Sequence, residues 1–138
     1  MSRVTLIAAD KPLPLCSHQE VRTKTAMVKG TPHTISFPRG FQVSEHSYYR
    51  SCVDGLGYSM KPYAYELELD VDETDLAHLK DYLSKQFSPG EEAELWSLWI
   101  GKLPERVPLR RRSSLSDLDL HTLEQVLQAD DLCITVTM

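Results

Sequence analysis

"EEAELWSLWIG", residues 91–101, is the stretch that decides what this chain folds into. Ser88-Pro89-Gly90-Glu91 has the form of a capping box with proline at the first helical position, which argues for a helix. Against it stand Leu95, Trp96, Leu98, Trp99 and Ile100, aromatic and apolar in a short run closed by Gly101. A run of this kind suits a strand buried on both faces. We read it as a strand.

The neighbours support that reading. In "YAYELELDV", residues 63–71, Tyr63, Tyr65, Leu67, Leu69 and Val71 alternate with Glu66, Glu68 and Asp70, the period of a strand packed on one side and wet on the other. The spacing then turns helical over 72–87, where Leu76, Leu79, Leu83 and Phe87 form one stripe opposite Lys80, Asp81 and Lys85. Asp72 or Thr74 caps its start, and "SPG" at 88–90 ends it. After the tryptophan run come a turn and a strand near 106–112. A helix follows with Leu120, Leu123, Val126 and Leu127 on its apolar side and Ser116 or Asp119 at its cap. Leu132, Ile134, Val136 and Met138 alternate with Cys133, Thr135 and Thr137 in a closing half-buried strand.

The order from residue 63 is β-α-β-β-α-β, the ferredoxin-like order. The expected fold is α+β, an antiparallel sheet with its helices mainly on one face. Residues 1–138 are read as a single domain in which an irregular N-terminal extension, 1–62, packs on the 63–138 core. "RVTLIAA" reads as a strand, 11–33 as a long connection, and "TISFPRGFQVS" as a β-hairpin about Pro38-Arg39-Gly40. A short helix over 44–55, capped by Ser44 and ended by Gly55, would bury Tyr48, Tyr49, Cys52 and Val53 and turn His46, Arg50 and Asp54 outward.

With 138 residues the chain can bury a core without staples. The apolar run at its start is too short for a signal peptide or a membrane span, so a cytoplasmic protein with no membrane partner is expected. Cys16, Cys52 and Cys133 are scattered and odd in number, as reduced thiols are. Residues 1–62 hold eight Lys and Arg against four Asp and Glu, whereas 63–138 hold seven against sixteen. That acidic half argues against nucleic acid as a partner of the whole chain.

No catalytic constellation is read from these residues, and no cofactor or metal. The five histidines show no metal-binding spacing, and Cys16 with His18 supplies only two ligands. The carboxylate row Glu66, Glu68 and Asp70 is explained by a solvated sheet face. Three candidate sites remain. Arg110, Arg112, Ser113 and Ser114, in "RRRSSLSD", would deliver cations and hydroxyls to a helix mouth that attracts anions. His46, Tyr49 and Arg50 would line a cleft between residues 44–58 and the sheet. Trp96, Leu98 and Ile100 would form an apolar face needing cover from the extension, from a second copy in a homo-oligomer, or from both. A non-catalytic binding or regulatory module, recognising a protein or a small anionic ligand, is the function these features suit. The rival is a small enzyme using the 44–58 cleft.

Overall fold

Strand β1, Ser2–Ala9, runs through the middle of the sheet. In the computed structural model, which describes residues 2–100, 107–128 and 131–138, β1 pairs antiparallel with two strands at once. On one side lies Tyr63–Glu68 and on the other the tryptophan run, a strand over Glu92–Ile100. The elements in chain order are β1, β2 (Cys16–Ser17), β3 (Glu20–Val28), β4 (Thr31–Arg39), β5 (Gln42–Glu45), α1 (Arg50–Leu56) and β6 (Tyr63–Glu68). Then follow α2 (Glu73–Gln86), β7 (Glu92–Ile100), β8 (Leu109–Ser114), α3 (Leu120–Gln128) and β9 (Leu132–Thr137). Seven strands form one sheet in the order β2-β5-β6-β1-β7-β9-β8, antiparallel except where β8 and β9 run parallel.

Strand periodicity divides the core into two. Ile7 and Ala9 of β1, Ala93 and Leu95 of β7, and Ile134 and Val136 of β9 face α2 and α3, which contribute Leu76, Leu79, Leu83, Leu123 and Val126. Val4, Leu6 and Ala8 of β1 face the other way with Trp96, Leu98 and Cys133, beneath Val53 of α1 and the flanking Tyr49, Leu56, Tyr58 and Met60. Both faces of the central strands are therefore covered by the chain itself. This is why β9 is buried on both faces through Ile134, where alternation alone had suggested one. Helix α2 starts at Asp72, whose Oδ1 accepts the Asp75 amide at 2.8 Å, and Phe87 is its C-cap.

The fold is α+β with a large antiparallel sheet, but three expectations change. The element order from residue 63 holds, yet the ferredoxin-like arrangement interleaves its two βαβ halves. Here β1 fills the slot between β6 and β7, and β8 and β9 are direct parallel neighbours. The N-terminal segment is no appendage, because β1, β2 and β5 are strands of the main sheet. The hairpin falls earlier than expected. It joins β3 to β4 through Lys29-Gly30, both with positive φ (52° and 76°), the primed turn that matches strand twist. Pro38-Arg39-Gly40 instead carries the chain from β4 into β5. A Cβ on Gly40 (φ 130°) would sit 3.0 Å from the His18 carbonyl oxygen. Among the described residues, no helix is long and apolar enough to cross a membrane. Part of the turn before β8 lies outside the described residues, as do Ala129 and Asp130.

Leu79 is fully buried in this core, whereas Ile35 of β4 is exposed. Urea unfolding should show Leu79→Ala less stable by about 2–5 kcal/mol. Ile35→Ala should stay within about 0.5 kcal/mol of the parent.

Candidate functional site: a cleft where β5 leaves β6

The pairing of β5 with β6 ends at Glu45 opposite Tyr65, although β6 begins two residues earlier, at Tyr63. Tyr63 and Ala64 stay bound to β1 on their other side, through Ala9 and Ala8. Beyond Glu45 the chain leaves the sheet and turns into α1, so its next residues separate from β6. The space left is a cleft of about 500 Å³ lined by Glu45, His46, Ser47, Arg50, Pro62, Tyr63, Ala64 and Tyr65. A smaller neighbour of about 230 Å³ reaches under α1 to Val53, Asp54, Tyr58, Met60 and Lys61. His46, Arg50, Pro62 and Ala64 border both.

His46 lies at the seam between these spaces and is only 6% exposed. Neither of its ring nitrogens has a hydrogen-bond partner among the described residues. Burial lowers its pKa below the usual 6.5, and the nearby Arg50 charge lowers it further, with Asp54 opposing. A neutral imidazole offers one donor and one acceptor. Leaving such groups unsatisfied costs about 1–3 kcal/mol each. Arg50, at the rim, makes no side-chain hydrogen bond or ion pair among the described residues. The opposite wall is better tied down. Tyr65 Oη accepts the Leu13 amide at 3.0 Å, and Lys61 holds Asp10 at 2.5 Å.

The cleft lies where residues 44–58 were expected to meet the sheet, but its residues are turned differently. His46 was expected to face solvent and is buried. Cys52 was expected in the core and is exposed, as is Tyr48 at 82%. The cause is the helix register. Only Arg50–Leu56 is helical, so positions 44–49 do not follow a helical arc. Tyr49 packs on the second core cluster beside Val53 and does not line the cleft. Tyr63, Tyr65, Pro62 and Lys61 were missed as lining residues. Their signal would have been the pairing of β5 with β6, which period-two spacing in one strand does not reveal.

The other two candidates lie elsewhere and are bound up in the chain's own contacts. Arg110 donates to the Ser59 carbonyl at 2.8 Å and sits over the Trp96 ring, while Arg112 pairs with Glu92 at 2.7 Å. Ser114 Oγ accepts the Asp117 amide, and Ser113 Oγ donates to the Ser114 carbonyl. Helix α3 is capped instead by Asp119, whose Oδ1 accepts the Thr122 amide at 2.9 Å. Trp96 and Leu98 are fully buried beneath residues 49–60, and Ile100 is partly buried beside them. Trp96 Nε1 donates to Glu94 Oε1 at 3.2 Å, which also accepts the Lys61 amide.

One acidic cluster, Asp70, Asp72 and Asp75, gathers within 4.8 Å. Its geometry is that of a helix start. Asp72 caps α2, Asp75 Oδ2 accepts the Asp70 amide at 2.6 Å, and Asp70 holds Arg39.

No protein-family model matches this chain, no curated protein matches it, and no solved structure does.

The burial of His46 has a pH consequence. The ring stays neutral in the folded chain to lower pH than in the unfolded chain, where it protonates near 6.5. Its contribution to stability is therefore complete above about 6.5 and is lost as pH falls below it, until the folded ring protonates too. An NMR titration should place the His46 midpoint below 6.5. The His46→Phe variant should lose less stability across that window than the parent.

Proposed function

We propose that the chain is a binding module whose cleft between β5, α1 and β6 takes a small anionic ligand. The observation that carries this reading is a buried histidine whose two ring nitrogens, and a neighbouring arginine whose guanidinium, have no partner among the described residues. A carboxylate fits both groups. One oxygen can accept the His46 N–H, and the guanidinium can hold the pair of oxygens in its fork. Tyr63 and Tyr65 also line the cleft, Tyr65 with its Oη already bonded to the Leu13 amide. The volume of the cleft lies within the range of small-molecule sites.

Binding is preferred to turnover for a chemical reason. A general base acts best when a second group orients it, and His46 has no such partner among the described residues. A ligand that supplied that partner would complete the ring's hydrogen bonding, not enter a relay already in place.

Isotope-edited NMR with acetate, succinate, benzoate and inorganic phosphate as probes tests the reading. At least one carboxylate should shift the His46 ring and Arg50 side-chain signals saturably. Arg50→Ala should weaken that binding at least tenfold, or about 1.4 kcal/mol. Four probes that leave both signals unmoved at millimolar concentration would contradict the proposal.

A further inference from the structure

The β3–β4 hairpin is paired with no other strand of the described chain. Val21 is 73% exposed and Met27 68%, and Val28 and Ile35 are also exposed. Two-stranded ribbons standing alone are marginal in water. This one is fixed firmly at its base: Arg39 binds both carboxylate oxygens of Asp70 through Nε, at 3.1 and 3.2 Å. Gln19 donates to Glu68 at 2.7 Å, and the His18 amide donates to the Phe41 carbonyl at 2.8 Å. The rings of His18 and His78 stack at 4.1 Å beside Phe41. The body thus holds out an arm that has no core of its own.

The two edges of the arm are not equivalent. A two-residue turn makes Val28 and Thr31 a hydrogen-bonded pair, and bonded pairs recur at every second position. Val21, Thr23, Thr25 and Met27 therefore direct their N–H and C=O groups away from β4. Opposite them stand Pro38, Ser36, Thr34 and Pro32. The prolines remove two donors from the outer edge of β4, a usual guard against pairing. The outer edge of β3 has no proline and keeps all four donors. The face that carries these eight residues has no charge, and each of them is exposed.

The charge of the arm indicates which strand belongs there. Apart from Arg39, which Asp70 holds, residues 20–39 carry Arg22, Lys24 and Lys29 against Glu20 alone, in a chain of net charge −5. A second copy of β3 would set a strand carrying Arg22 and Lys24 against itself. A nucleic acid has no peptide backbone with which to continue the ladder of β3.

We propose that the outer edge of β3 receives an extended acidic segment of another protein as an added strand. Main-chain hydrogen bonds run to Val21, Thr23, Thr25 and Met27, and carboxylates alternate with β-branched residues along the incoming chain. This inference rests on the arm alone and stands apart from the ligand cleft.

The test is selection of a displayed library of random linear peptides, about ten residues long like the longer natural strands, on the full chain. The Thr25→Pro variant serves for counter-selection, because it removes one outward donor and leaves the bonds to β4. Enriched peptides should alternate Asp or Glu with Val, Ile or Thr, and should bind the variant at least tenfold more weakly. Amide exchange at the four outward positions should slow on binding, and added salt should weaken the complex. Lys24→Glu should also weaken binding, and it leaves every backbone group in place. The proposal is overturned if nothing is enriched over the counter-selection, or if the enriched peptides are basic. It is equally overturned if the four amides are already protected in a dimer of the free protein, or if an RNA or DNA oligonucleotide binds the arm in place of peptides.

Discussion

The rest of the structure depends on the double pairing of β1. Seven residues of this strand pair with β7 and four with β6. Its side chains alternate between two cores, with Leu6 and Ile7 both fully buried. A strand bonded on both edges and covered on both faces cannot shift by one residue without exchanging the two cores. Its position fixes β6 and β7 parallel to each other at a two-strand spacing, which α2 spans as a crossover on the helical face. The opposite face must then be closed by what remains, and residues 49–60 close it.

That closure explains where the chemistry lies. The chain leaves the sheet at Glu45 to reach the second face and returns to it at Tyr63. Departure and return are side by side, because β5 and β6 are neighbours. His46 is caught at this fork, under α1 and beside the open start of β6, where no backbone group of the described residues bonds its ring. Arg50 follows as the first residue of the short helix. The cleft is thus a by-product of covering an apolar face, and the His46 ring has no partner among the described residues because the sheet has ended and the helix has only begun.

Much of the body was legible in the sequence because burial there follows a period. Leu76, Leu79 and Leu83 mark α2, Leu123 and Val126 mark α3, and the alternation through Leu67 marks β6. The tryptophan run reads as a strand because Leu95 and Trp96 both face apolar layers. The arm was not legible for the opposite reason. A ribbon exposed on both faces has no hydrophobic period, and the signal was in the β-branched residues flanking Lys29-Gly30. Around His46 the amphipathic spacing of 44–55 reads as a helix, but positions 44–49 are not helical, so the ring lies inward and Cys52 outward. The position of β1 was hidden because its register is set by partners about 60 and 90 residues away, which no local pattern encodes.

Residue-resolved amide hydrogen exchange of the intact chain is the most direct measure of this arrangement. Amides of Leu6 and Ile7 should exchange only through global unfolding, together with those of β7 and among the slowest in the molecule. The outward amides of Thr23 and Thr25 should exchange orders of magnitude faster. Exchange of β1 as fast as that of the arm would mean that the strand is a loose appendage, and the cleft built around its neighbours would lose its basis.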